Sequence, residues 1–201
     1  MAVYLYDEAL VNKIKLWTQN TDIHVYGPNE TSRLFATIAD EQNDKPIKLP
    51  LISISRPEGF TVTTPNKQPL SFDGMTTEAS YEKSIMLNAI PISLAYQIDI
   101  YTRYQKEADE FVRNLIFNII NFPVVTVKIP YNKADIEHDS QIILDGNVQD
   151  NSDVPERIVP GQFTRYTLSI TMPDAYLWDV RARDNVHVEG LALLPQWYFE
   201  R

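Results

Sequence analysis

The chain has 201 residues, 44% of them hydrophobic, which is enough to bury a sizeable core within one domain. Its formal net charge of −9 argues against a nucleic-acid-binding surface, because affinity for phosphates depends on neutralising Lys and Arg side chains. The absence of cysteine excludes disulfides and thiolate metal sites. No apolar run approaches the ~20 residues that span a bilayer, and the N-terminus lacks the pattern of a secretory signal, so we expect a soluble protein made in the cytoplasm.

The N-terminal region predicts one helix and one short strand. From Asp7 to Trp17 the apolar residues recur at helical spacing, and Asp7 is the expected N-cap. Residues 27–29, Gly-Pro-Asn, are typical of a turn. The apolar residues within 49–55 predict a buried strand.

Residues 56–80 are predicted to form an extended loop, because prolines and glycines interrupt any long regular element there. Two interpretations stay open: a hairpin excursion, or an arm that reaches a neighbouring subunit. On the second interpretation, Phe60, Phe72 and Met75 are candidate interface residues.

A strand is predicted after this segment, because large apolar residues alternate with smaller or polar ones from Leu94 to Tyr101. Pro91 has no N–H for the interior of a sheet. We therefore expect a bulge, a bend or an edge position at Pro91, with the strand divided in two.

A long amphipathic helix is predicted from Gln105 to Phe122. Thr102 and Gln105 have the spacing of a capping box, and Pro123 ends the helix. We expect its apolar face to lie across the sheet. The residues of that face are Ala108, Phe111, Val112, Leu115, Ile116, Ile119 and Ile120.

The following region predicts further strands at residues 123–130, 142–144 and 166–172. Asp145-Gly146 is a turn signal, the acidic stretch at residues 135–139 is interpreted as a solvated loop, and residues 147–160 are a connector. The last strand has an apolar face and a hydroxyl face that carries Thr167, Ser169 and Thr171. The fold class is therefore α+β, with a mainly antiparallel sheet.

Residues 179–201 form an aromatic-rich C-terminal extension of the predicted single domain, which spans residues 1–201. Its apolar content should be docked either on the chain's own core or on a neighbouring subunit. For the second case Trp197, Tyr198 and Phe199 are candidate interface residues, since Trp and Tyr are favoured at interfaces.

No pattern of catalytic or cofactor-binding residues is recognisable in the sequence. The three histidines lack metal-ligand spacing, and the phosphate-binding and nucleophile motifs are missing. We therefore expect no catalytic residues, no metal, no cofactor and no enzyme activity. An enzyme that uses a carboxylate pair in a cleft of the sheet remains an alternative from another functional class.

The segment YQIDIYTRYQKEADEFVRNLIFNIINFP, from Tyr96 to Pro123, resembles a block in tail terminator and tail completion proteins of tailed bacteriophages. In that family a strand of the form Y-x-I-D-x-Y or W leads to an acidic E-A-D-E helix start and an apolar helix. The other predicted strands keep the order expected of that α+β fold, so the resemblance covers most of the chain. The loop at residues 56–80 and the C-terminal extension go beyond the small family members.

The resemblance implies a structural virion protein that forms a ring, generally a hexamer, on the last ring of the tail tube. Such a ring stops tail growth and joins the tail to the neck. Its expected partners are further copies of itself, the tail tube, and sheath and neck or connector proteins, with no membrane and no specific nucleic acid. The alternatives are a baseplate or head-proximal neck component of the same fold, and a non-viral interaction domain.

Overall fold

The protein is a mixed α+β structure whose sheets are mostly antiparallel, which confirms the predicted fold class at that level. A computed structural model describes residues 3–18, 21–32, 48–63, 70–78, 81–131, 134–152 and 163–180. The two long helices are α1 (Val3–Trp17) and α2 (Gln105–Asn121). The strands are β1 (His24–Tyr26), β2 (Leu51–Ser55), β3 (Phe60–Val62), β4 (Leu70–Glu78), β5 (Tyr81–Thr102), β6 (Val124–Tyr131), β7 (Ala134–Gln141), β8 (Ile143–Asp150) and β9 (Thr164–Val180).

The main sheet is built around β5, which is 22 residues long. Its strand order is β1-β2-β5-β9-β8, and β3 and β4 also pair with β5. Strand β1 pairs with β2 in parallel, whereas β2, β3, β4 and β9 each pair with β5 antiparallel. Strands β6 and β7 form a separate two-stranded sheet.

The alternation along β5 places its large apolar side chains in the core. Tyr96 and Ile98 lie opposite Ile170 and Leu168 of β9, and all four side chains are buried. Since register partners lie on the same face of a sheet, this face is a continuous apolar surface. It provides the centre of the hydrophobic core.

The expected irregularity near Pro91 is present, but the strand is not divided. The register between β5 and β9 shifts between Ile92 and Leu94. Across this shift β5 advances by one intervening residue and β9 by Pro173 and Asp174, so the extra residue belongs to β9. Strand β5 therefore continues past Pro91 without a break.

Helix α1 begins four residues before the predicted N-cap. Asp7 lies inside the helix and is buried, so the prediction that it caps the helix is wrong. The helix starts earlier because Val3 and Tyr6 extend the buried apolar stripe of Leu10 and Ile14 towards the N-terminus.

The turn predicted at residues 27–29 is instead the start of a helical segment over residues 28–32. Pro28 occupies its first helical position, where the missing N–H is not needed. The Gly27 N–H donates to the Glu30 carboxylate at 3.1 Å, and the Thr31 N–H donates to the Gly27 carbonyl at 2.7 Å.

The capping box predicted for α2 is also wrong, because the N-cap is Tyr104 and makes no side-chain cap hydrogen bond. Thr102 is still in β5, and its hydroxyl donates to the Tyr104 carbonyl at 2.9 Å. The Gln105 amide donates to the Tyr166 hydroxyl at 3.1 Å rather than reaching back to the cap.

Helix α2 packs part of its apolar surface into the core. Ala108, Leu115 and Ile119 are buried, whereas Ile120 is 65% exposed. Three further side chains of the expected face are partly buried against the core: Phe111, Val112 and Ile116.

The loop predicted at residues 56–80 contains two strands that belong to the sheet, and this corrects the prediction. Phe60–Val62 pairs with β5 at Ile92–Leu94, and Leu70–Glu78 pairs with Tyr81–Ala89. Gly59 has φ +70° in the turn before β3, so this glycine marks a turn and not a long loop. The hairpin interpretation agrees with this pairing, and contact of the segment with a neighbouring subunit stays a prediction.

The acidic stretch at residues 135–139 is strand β7, not a loop. It can be a strand because its exposed carboxylates pair across to β6: Thr126 donates to Asp139 at 2.7 Å, and Lys128 lies 3.9 Å from Glu137. Gly146, with φ +74°, lies inside β8 where the register to β9 shifts. The turn signal at this glycine therefore corresponds to a bulge, and β8 continues to Asp150.

The C-terminal extension predicted from residue 179 lies mostly outside the described residues. Asp179 and Val180 are the last residues of β9, where they pair with Asn88 and Leu87. Residues 181–201 lie outside the described part of the chain.

Candidate interaction surfaces

A buried carboxylate in the main sheet is bonded to several neighbouring side chains of the same chain. Asp99, in the middle of β5, is 3% exposed. One of its carboxylate oxygens accepts hydrogen bonds from Thr167 at 2.6 Å and from Arg165 at 3.2 and 3.3 Å, and the Gln97 amide donates to the same carboxylate. The Arg165 guanidinium also lies 5.4 Å from the centre of the Tyr101 ring. Burial, together with the nearby Asp99 charge, raises the pKa of Tyr101 to about 12.

A second buried carboxylate, Asp7, links α1 to β5 and to the end of β2. It accepts a hydrogen bond from the Tyr96 hydroxyl at 2.8 Å and lies 3.4 Å from the Arg56 guanidinium. Burial raises the pKa of Asp7, and the Tyr96 hydrogen bond and the Arg56 charge oppose that shift. Burial and the Asp7 charge also raise the pKa of Tyr96.

Aromatic side chains around Tyr6 join α1, β7 and β9. The Tyr6 hydroxyl accepts hydrogen bonds from the Tyr176 N–H at 2.9 Å and from the Trp178 indole N–H at 3.2 Å. The His138 ring packs edge-on against the rings of Tyr6, Tyr176 and Trp178. Its Nε2 lies 2.9 Å from the Asp174 carbonyl oxygen. These contacts hold α1, β7 and β9 together.

These three clusters connect packed elements, and their residues line neither of the two grooves described next. Within the described ranges, no group of three His, Asp or Glu side chains is positioned to hold a metal ion. No helix in the described part of the chain is long and apolar enough to cross a membrane. Sites for contact with another protein lie on the exposed surface, which carries two grooves among the described residues.

The first surface is a groove between α2 and the segment that follows α1, which we call the α2 groove. Its volume is about 520 Å³. The Asn114 amide donates to the Trp17 carbonyl at 3.4 Å and holds α2 against the end of α1. Phe117 is 62% exposed at this groove. The charged and aromatic lining residues are Asp22, Glu107, Glu110, Phe111, Arg113 and Phe117.

The second surface lies between the outer side of α1 and β6, and we call it the α1 groove. Its volume is about 410 Å³. Leu16 is 56% exposed within it, and Lys13 lies over the Trp17 ring, with its ammonium 5.7 Å from the ring centre. The residues that line it include Leu5, Glu8, Lys13, Leu16, Val125 and Lys128.

Exposed apolar side chains continue beyond both grooves. After Phe117, the residues Ile120, Phe122 and Val124 are 65%, 59% and 45% exposed. Four large apolar side chains within eight positions are therefore open to solvent at the end of α2 and the start of β6. Exposed single apolar residues are common, but a run of this kind is typical of an interaction surface.

The interface residues predicted from the sequence are distributed over separate regions. Phe60 is 37% exposed on β3, near Val62 at 47% and Ile90 at 44%, so it lies in a small apolar patch. Phe72 and Met75 are register positions of β4 opposite Leu87 and Ser84.

The remaining predicted residues, Trp197, Tyr198 and Phe199, lie outside the described residues. Sequence reasoning missed Phe117 and Leu16, which are large apolar residues outside the dominant apolar stripe of their helices. Their position on the polar side of each helix could have identified them from the sequence, because an apolar side chain on that side does not pack into the core of its own chain.

Comparison with known proteins adds no relative, since no protein-family model matches the chain and no curated protein matches it.

Proposed function

We propose that this chain is a structural virion protein that forms a ring, with six copies expected, which caps a phage tail tube and joins it to the neck. The proposal begins from the resemblance of residues 96–123 to the strand and helix block of tail terminator and tail completion proteins. The main structural support for the proposal comes from α2, which follows β5 directly. This amphipathic helix packs Leu115 and Ile119 into the core and leaves Phe117 and Ile120 exposed.

A ring subunit needs apolar area on its outside as well as in its core. Obligate contacts between copies resemble a domain core cut in half, and they bury aromatic side chains at their centres. Phe117, Ile120 and Phe122 supply aromatic and aliphatic area of this kind on one element. The long β4–β5 hairpin, in which residues 81–86 pair with β4, is the element that we assign to reaching a neighbouring copy.

The charge of the chain suits a channel through which DNA moves. A formal net charge of −9 disfavours adsorption of phosphates, so DNA would pass without binding. In the described sheet Arg165 is held by Asp99, which withdraws this cation from contact with a passing phosphate.

The carboxylate enzyme remains the alternative from another functional class, and the described residues favour it less. The buried carboxylates Asp7 and Asp99 are each bonded to neighbouring side chains of the core. Glu107 and Glu110 line the α2 groove, but Glu110 is exposed to solvent, so the two do not form a buried carboxylate pair.

Native mass spectrometry of the purified chain at micromolar concentrations, with negative-stain images of the same sample, tests the proposal. We expect a closed ring with six-fold symmetry, either alone or at the end of a tail tube assembled from the cognate tube protein. A monomer under both conditions would refute the ring. Binding of the ring to a baseplate protein instead of the tube end would assign it to the baseplate.

Removal of residues 191–201 tests the C-terminal extension separately. If the extension docks between subunits, the truncated chain should lose the ring and keep a cooperative thermal transition. A lost transition would instead indicate that the extension belongs to the core of its own chain.

A further inference from the structure

The charges that line the two grooves are of opposite sign. Asp22, Glu107 and Glu110 against Arg113 give the α2 groove a formal charge of −3 + 1 = −2. In the α1 groove, Lys13 and Lys128 against Glu8 give +2 − 1 = +1, in a chain whose total is −9. The basic α1 groove is therefore an exception on a chain whose net charge is strongly negative.

Each groove is also lined by an exposed apolar side chain. Phe117 is 62% exposed in the α2 groove and Leu16 is 56% exposed in the α1 groove. Exposed apolar area together with charged residues is the usual composition of a protein interface. No residue lines both grooves, so one copy can use both at the same time.

We infer that the α2 groove of one copy receives the α1 groove of the next copy, so that Phe117 meets Leu16 and the lysines meet the acidic rim. This inference rests on the proposed ring and adds the surfaces that build it. A contact between two different surfaces repeats from copy to copy, and it generates a ring when the rotation closes.

The same charges disfavour the simplest competing arrangement. A two-fold dimer through the α2 groove would place two surfaces of charge −2 against each other, and juxtaposed like charges oppose association. Lys128 lies 3.9 Å from Glu137, but both side chains are about two-thirds exposed, so this pair is weak and leaves Lys128 able to take a partner on another copy.

Charge reversal in two variants tests the inference. The α2-groove variant carries Glu107→Lys and Glu110→Lys. The α1-groove variant carries Lys13→Glu and Lys128→Glu. Each variant alone then has two grooves of the same sign, and we expect its self-association to weaken by more than about tenfold. Glu58→Lys, on an exposed position of the turn between β2 and β3 outside both grooves, is the control and should assemble as the unmodified chain does.

Mixing the two variants in equal amounts provides the decisive measurement. The basic α2 groove of the α2-groove variant then matches the acidic α1 groove of the α1-groove variant. The unmodified α2 groove of the α1-groove variant, which is acidic, likewise matches the unmodified α1 groove of the α2-groove variant, which is basic. Native mass spectrometry should therefore detect rings with equal numbers of both variants. A chain that carries all four substitutions should assemble alone, whatever the number of copies in the ring.

The outcomes separate this inference from the proposed function. If both variants assemble as well as the Glu58→Lys control, the ring stands and the matching of the two grooves is wrong. If neither the mixture nor the fourfold variant recovers assembly, the matching is also wrong, provided that circular dichroism shows native folding. If the unmodified chain forms no ring alone or on a tube end, the proposed function and this inference both fail.

Discussion

Replacing Leu115 with alanine, beside the same change at Ile120, tests how α2 is oriented on the sheet. Both residues belong to the apolar face expected from the sequence. In the structure Leu115 is 0% exposed and Ile120 is 65% exposed. The two substitutions remove similar apolar groups from one helix, so a difference between them reports on burial and not on helix propensity.

The expected magnitudes differ clearly. Truncating a fully buried leucine removes its transfer free energy and leaves a cavity, so Leu115→Ala should lower the free energy of unfolding by about 3 kcal/mol. For a chain of this length that corresponds to a fall in melting temperature of about 6–12 °C. Ile120 has only a third of its side chain buried, and alanine has the higher helix propensity, so Ile120→Ala should change the free energy of unfolding by less than about 0.5 kcal/mol.

Urea denaturation followed by far-ultraviolet circular dichroism measures both values. The variants should share one m value, which would show that they differ in stability and not in the extent of unfolding. An Ile120→Ala variant that loses as much stability as Leu115→Ala would refute the orientation of α2 described above. If Ile120→Ala also weakened ring assembly without loss of stability, its exposed side chain would belong to the contact between copies.

Three further substitutions test the buried polar clusters. Asp99→Ala removes the buried carboxylate that binds the Arg165 guanidinium and the Thr167 hydroxyl, so it should lower the free energy of unfolding by about 3–5 kcal/mol in urea denaturation, and a loss below about 1 kcal/mol would contradict the pairing. The raised pKa of Asp7 means that the folded state holds the Asp7 proton more tightly than the unfolded chain does; Asp7 should therefore make stability fall as pH rises above 3.8, and Asp7→Asn should flatten that part of a stability–pH profile. Tyr6→Phe removes the acceptor of two N–H donors and should cost about 2 kcal/mol, whereas Tyr4→Phe, at a side chain that is 54% exposed, should leave the melting temperature unchanged.

The local patterns of the sequence were sufficient to predict some of the secondary structure elements. The alternation from Leu94 to Tyr101 predicts the C-terminal part of β5, and the apolar residues within 49–55 predict β2, because both signals lie in consecutive residues. The fold class follows from the order of such elements.

Sequence reasoning failed where a tertiary contact decides the structure. Asp7 has the residue type and position of an N-cap, but Tyr96 lies 89 positions away and gives it a hydrogen bond inside the helix. Likewise, β3 and β4 are strands because β5 is long enough to pair with both. Nothing within residues 56–80 specifies that partner, so their prolines and glycines favoured a loop.

The hydroxyl face of β9 illustrates the same limit on the other side of the sheet. Thr167 belongs to the hydroxyl face predicted from the sequence, and in the structure it is 6% exposed and donates to Asp99. A threonine in a strand fits the alternation of apolar and polar residues whether its hydroxyl contacts water or a buried carboxylate. The choice depends on Asp99, which is 68 positions away.

The candidate interface was predictable in a different way, through residues that break a pattern. In α2 the buried Leu115 and the exposed Phe117 are two positions apart, and at 100° per residue they lie on nearly opposite sides of the helix. Only one of these sides can face the core of its own chain. An apolar side chain on the other side contributes little to the stability of the monomer, and it supports the proposed contact between copies. Phe117, which is 62% exposed, is therefore an interface candidate that the sequence patterns alone did not identify.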